Sequence, residues 1–134
     1  MKESVEKALK LIEDIEDVFE TDVILQKLVK HFASRDPVKA WKPLQEISFR
    51  EIKALAYNEL VISYLQKGDH RRAKELTLKA IEMIDDSESE LVKLELIETL
   101  IEVGLKDRAF VLAEQITTYE ERAIAFGTIA ARCY

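Results

Sequence analysis

Apolar residues recur at intervals of three and four along the whole chain, with charged residues between them. In the first segment Val5, Ala8, Leu9, Ile12, Ile15 and Phe19 alternate with Glu6, Lys7, Lys10, Glu13, Asp14 and Asp17, the pattern of an amphipathic helix. Thr21 and Asp22 can accept hydrogen bonds from the amides of a new first turn, so a second helix is expected to start there, carrying Leu25, Leu28, Val29 and Phe32. Asp36–Pro37 marks the next start, because proline lacks an N–H where none is needed. Pro43 falls inside the same segment and is expected to kink or shorten it. Three Ser/Thr-x-x-Glu boxes announce further starts: Ser48 with Glu51, Ser87 with Glu90, and Thr118 with Glu121. Gly68 and Gly104 stand where helices should close, since glycine tolerates the left-handed turn. The pattern predicts eight helices, at 3–20, 22–34, 37–47, 49–67, 70–84, 88–103, 106–117 and 119–134.

A repeat underlies the helices. Aligning the segments that begin at Asp36, Gly68 and Gly104 superposes Ala40, Ala73 and Ala109, and Ala8 falls on the same column. The intervals are 32, 33 and 36 residues, the spacing of stacked helix pairs, with a small residue wherever one helix approaches another closely. A plain antiparallel bundle is the alternative.

Residues 54–86 carry a more specific pattern: Tyr57, Leu60, Val61 and Tyr64 in one helix, Gly68 at the turn, and Ala73 and Ala80 in the next helix. This resembles a tetratricopeptide repeat. Three positions depart from that pattern: Val61 stands for a small residue, Thr77 for a large aromatic and Asp86 for a closing proline. With Val61 in place, the two helices are expected to splay. Residues 88–116 match more loosely through Leu96, Leu100, Gly104, Ala109, Ala113 and Ile116, and residues 22–47 keep Leu28, Phe32, Ala40 and Ile47. HEAT-like pairs are the neighbouring family. The resemblance implies an all-α, right-handed superhelix of stacked antiparallel helix pairs. It would form one domain over 1–134, with an N-terminal helix at 1–20, units at 22–47, 49–84 and 88–117, and an unpaired C-terminal helix at 119–134.

Composition narrows the class. With only 3 Gly and 2 Pro in 134 residues, the many turns of a β-sandwich or barrel are not available. A single cysteine, Cys133, excludes a disulfide framework. No apolar run is long enough to span a membrane, and the opening Met-Lys-Glu-Ser is unlike a signal peptide, so a cytoplasmic location is expected. The net charge of −6 disfavours nucleic acid, whose phosphates call for a basic surface. The 18 Glu and 13 Lys against one Asn point to a thermophilic source.

No catalytic set emerges, and no metal or cofactor is expected. His31 and His70 lack metal-ligand spacing, the scattered glycines cannot build a phosphate loop, and Glu13, Asp14 and Asp17 read as a solvated helix face. Trp41 reads as partly buried packing beside the Pro43 kink. The expected function is therefore a non-enzymatic scaffold that binds a protein or peptide partner.

Carrying over the inward positions of the resembled family gives a groove of Leu55, Asn58, Ile62, Leu65, Leu91, Leu94, Glu98 and Ile101. It would take an apolar helical segment. A basic edge at His70, Arg71 and Arg72 offers a second possibility, an anionic small ligand. The third is self-assembly. From 122 onward the last helix has only Arg122, Thr128 and Arg132 as polar residues, and a helix apolar on nearly all sides needs partners on nearly all sides. A homodimer through Phe126, Ile129, Cys133 and Tyr134 is the simplest cover, with an N-terminal helix folding back or a longer array as alternatives.

Overall fold

The computed structural model describes residues 2–84 and 89–133, and it is all-helical over them. Eight helices follow in order among the described residues: α1 (Lys2–Ile12), α2 (Val18–Arg35), α3 (Pro37–Glu46), α4 (Arg50–Gln66), α5 (His70–Ile84), α6 (Glu90–Glu102), α7 (Lys106–Glu114) and α8 (Tyr119–Cys133).

The packing is regular. Within each pair, α2 packs on α3, α4 on α5 and α6 on α7. Each first helix also packs on the next first helix, α2 on α4, α4 on α6 and α6 on α8. Each second helix touches the first helix that follows it, α3 on α4, α5 on α6 and α7 on α8. The first helices therefore have neighbours on three sides. In α4 the buried residues run almost without a break, from Ile52 through Ala54, Ala56, Tyr57, Asn58, Leu60, Val61 and Ser63 to Tyr64. In α5 they keep to one stripe, Ala73, Leu76, Thr77, Ala80, Ile81 and Ile84. Ala40, Ala73 and Ala109 are all fully buried, which accounts for the small residue once per unit. Val61 is fully buried too, and α4 and α5 form the most extensive helix pair among the described residues, so the expected splay does not occur. Thr77 is accommodated in the core because its hydroxyl donates to the carbonyl of Ala73 at 2.8 Å.

The glycine stops fall where expected. Gly68 and Gly104 have φ of 80° and 84°. At each, the next amide reaches back five positions along the closing turn, Asp69 to Tyr64 at 2.9 Å and Leu105 to Leu100 at 2.8 Å. The glycine amides bond to Leu65 and Ile101, which completes a Schellman closure at both ends.

Three helix starts, those of α2, α4 and α6, differ from the expectation. α1 ends at Ile12, and α2 begins at Val18, capped by Asp17, whose carboxylate accepts from the amide of Glu20 at 3.1 Å. Asp22 is thus not a cap of its own helix. It is fully buried and accepts from the amides of Ser48 and Phe49, at 3.0 and 2.7 Å, so it caps the entry to α4 from across the fold. Phe49, not Ser48, is the cap residue of α4. The start of α6 shows a related device: Ser89 caps the helix, and Glu90 accepts from the amide and hydroxyl of Thr117, at 3.4 and 3.0 Å. Asp22–Phe49 and Glu90–Thr117 have the same sequence separation of 27, so in two units an acid near the start of a first helix ties down the turn before the next one. Ser87, Asp85 and Asp86 lie outside the described residues. At the third box, the Thr118 hydroxyl donates to Glu121. Pro43 is buried inside α3, which ends three residues later. Trp41 is half-buried, edge-on to Tyr57 at 6.2 Å.

Removing the Asp22 carboxylate strands two amides at the entry to α4. Asp22→Ala should cost about 2 kcal/mol of stability in urea unfolding, with Asp22→Asn, which keeps one acceptor, costing less.

Candidate interaction groove

Stripes at three- and four-residue spacing put certain residues on the free face of the first helices. On α4 these are Leu55, Glu59 and Ile62, and on α6 they are Leu91, Leu94, Glu95, Glu98 and Glu102. Electrostatic contacts show that the stripes adjoin: Glu59 feels both Lys30 of α2 and Glu95 of α6. Farther along, α6 and α8 leave a cleft of about 180 Å³ between them. Leu94, Ile97, Ile124 and Ala125 form apolar walls, with Glu95, Glu98 and Thr128 beside them. Arg132 of α8 donates to Glu102 of α6 at 3.5 Å and closes the end of this seam.

The eight expected groove residues divide. Leu91 is 75% exposed and Ile62 40%, and Glu98 is exposed as well. Leu55, Leu65, Leu94 and Ile101 are half-buried and pack against the core with part of their surface. Asn58 does not belong to the groove. It is 2% exposed, and its amide links α4 to α6, donating to Glu95 Oε1 at 3.2 Å and accepting from the Thr99 hydroxyl at 2.6 Å. A buried amide must find such partners, so Asn58 serves the helix contact and is not presented to a ligand. Ser63 makes a similar tie, its hydroxyl donating to the Ala33 carbonyl of α2. Residues not singled out from the sequence are Glu59, Glu95, Glu102 and Ile124. The signal for the first three was their place on the same stripe as the leucines. Ile124 needed the position of α8.

Glu59 is the perturbed group of this face. Burial pushes its carboxyl above the ordinary carboxylate range, Lys30 pulls it down, and Glu95 pushes it further up.

The basic edge is largely self-satisfied. Arg71 lies 3.9 Å from Glu75 and Arg72 lies 4.0 Å from Asp69. Arg72 also sits over the Tyr64 ring at 5.6 Å. His70 is exposed beside them. Cations in the first turn of α5 are thus offset by local acids and an aromatic face.

The last helix corrects another expectation. Ile129 is 5% exposed and belongs to the chain's own core, and Phe126 packs edge-on against Phe110 at 5.1 Å. Cys133 is half-buried against the core, and Tyr134 lies outside the described residues. Two neighbouring helices, α6 and α7, take up Phe126, Ile129 and Cys133, while Tyr119 and Ile124 of α8 stay exposed. Its outward face is left with Ala123, Ile124, Gly127, Ala130 and Ala131.

Among the described residues, no group of three or more His, Cys, Asp or Glu could hold a metal ion, and no helix is long and apolar enough to cross a membrane. Comparison with protein-family models, curated proteins and solved structures finds no match for the chain.

The raised position of Glu59 has a definite sign. Its folded form holds a proton more tightly than the unfolded chain does, so its ionised carboxylate costs stability at neutral pH. That cost disappears as pH falls below the raised value. Glu59→Gln should therefore stabilise the protein at neutral pH, with a gain that shrinks on acidification, as read by thermal unfolding across a pH series.

Proposed function

We propose that the chain is a non-enzymatic protein–protein interaction scaffold. In this reading it is a right-handed superhelix of stacked antiparallel pairs, akin to tetratricopeptide repeats, and works in the cytoplasm without metal or cofactor. The face built by α2, α4, α6 and α8 receives an amphipathic helical segment of a partner, by the helix-in-groove mode. The observation that carries this reading is Leu91, a large apolar side chain left 75% exposed on the same stripe as half-buried Leu94, which itself lines the cleft to Ile124. Glu59, Glu95, Glu98 and Glu102 border those apolar residues, so a partner with a basic flank fits better than an acidic one. A carboxylate-ended peptide would meet these acids and be repelled.

A labelled peptide with leucines at helical spacing and a lysine-rich flank tests this by fluorescence anisotropy. Saturable binding is expected, weakened by about tenfold or more in Leu91→Asp and in Glu98→Lys, with helical content unchanged by circular dichroism. A glutamate-flanked peptide of the same length should fail to bind. Equal binding by wild type and Leu91→Asp would sink the groove.

A second reading, a homodimer through α8, draws on the outward strip of Ala123, Ile124, Gly127, Ala130 and Ala131. A Cβ added at Gly127 would meet nothing within 4 Å in the single chain, which leaves room for close approach by a second helix. In sedimentation, Ala130→Glu should then convert a dimer to a monomer without unfolding it. A wild-type protein that stays monomeric at high micromolar concentration excludes this reading.

A further inference from the structure

The largest opening among those described lies at the other end of the array, beside α1. It is a crevice of about 390 Å³ between α1, α2 and the start of α3. That volume lies within the range of about 300–1,000 Å³ common for small-molecule sites. Its walls are apolar: Val5 and Ala8 from α1, Leu28 and Phe32 from α2. Among the described residues its rim carries His31, Arg35 and Lys39, against one carboxylate, Asp36. Asp36 is already engaged, 4.0 Å from the Lys39 ammonium. Neither His31 nor Arg35 has a carboxylate within ion-pair distance among the described residues, and both are exposed.

The space exists because of how α1 sits. Ala40, Ala73 and Ala109 are each sealed in the core, whereas Ala8, on the same column of the repeat, is only half-buried and lines the crevice. The combination is also not general to the array. The valley between α5 and α7 has apolar walls at Ile81, Val111 and Leu112 but a single cation, Arg108, beside Gln115. On the other side of α1, a smaller opening pairs Lys39 and Lys42 with Glu6.

We propose that the crevice beside α1 is a binding site for an amphipathic carboxylate, an unbranched fatty acid. The alkyl chain would lie along Val5, Ala8, Leu28 and Phe32, where burying each methylene is favourable. The carboxylate would sit at the rim, where the Arg35 guanidinium can present two parallel donors and His31 and Lys39 add charge-assisted bonds. An apolar slot with one cationic end selects against alcohols and cationic amphiphiles of the same length. This site is separate from the groove and stands or falls without it.

The test is calorimetric titration of the full chain with sodium dodecanoate below its micellar concentration. One saturable site is expected. Arg35→Glu should weaken it by about tenfold or more, the loss of one charge-assisted contact, while Arg71→Glu on the paired edge should leave it unchanged. Ala8→Phe, which fills the slot, should abolish binding. Should that variant lose helical content, Arg35→Glu still decides the matter, because Arg35 is exposed and its replacement leaves the core untouched. Dodecyltrimethylammonium should not occupy the site. Overturning results are the absence of saturable uptake, or equal binding of the cationic amphiphile, which would reduce the effect to apolar partition. A concentration-dependent dimer lost in Arg35→Glu, with no dodecanoate uptake, would give the crevice to a second copy and overturn the proposal as well.

Discussion

Short amphipathic helices cannot hide their apolar faces alone, and every other feature of this protein follows from how they share that burden. Its helices run from 9 to 18 residues, lengths at which an isolated helix is marginal in water. Stability must come from tertiary packing. The chain meets this need with two unequal kinds of helix. First helices such as α4 are enclosed by a partner and by the first helices before and after, and so are buried on nearly all sides. Second helices such as α5 bury one stripe and turn charge to water. The free face of the first helices is the surface that the fold itself does not cover, and the two ends of the helix row are where the enclosure is incomplete.

Polar residues inside this packing fix its geometry. Apolar helices slide past one another at little cost, but a buried carboxylate or amide must find its donors. Asp22 holds the turn before α4, Glu90 holds the turn before α8, Asn58 joins α4 to α6, and Ser63 joins α4 to α2. The Asp22, Asn58 and Ser63 ties cross between helix pairs, whereas Glu90 ties down the turn that closes its own pair. Together they give the stack a definite register that hydrophobic burial by itself would leave loose.

The same logic sorts the surface. Large side chains that reach a neighbour, such as Ile129 and Phe126, are consumed by the fold. Those pointing to the free face of α4 and α6, such as Ile62 and Leu91, are not. Cations follow a parallel rule. Arg71 and Arg72 lie beside acids three or four positions away, whereas Arg35 flanks an apolar crevice whose carboxylate, Asp36, faces Lys39.

Helical period, closing glycines and the buried alanine column are local properties, and the sequence determined them: the eight helices, the Gly68 and Gly104 stops and the burial of Ala40, Ala73 and Ala109 all follow from spacing and from backbone preference. The stripe carrying Leu91 and Leu94 was legible for the same reason. What the tertiary structure decided were the residues whose partners lie far off in the chain. Asp22 looks like a local cap until Ser48 and Phe49 arrive to claim it, 26 and 27 residues away. Asn58 looks like a ligand contact until Glu95 and Thr99 use up its amide. Ile129 looks outward until α8 meets two helices in place of one. A hydrogen-bonding group or an apolar side chain advertises its need in the sequence, but which neighbour meets that need depends on the approach of another helix, and local spacing carries no information about it.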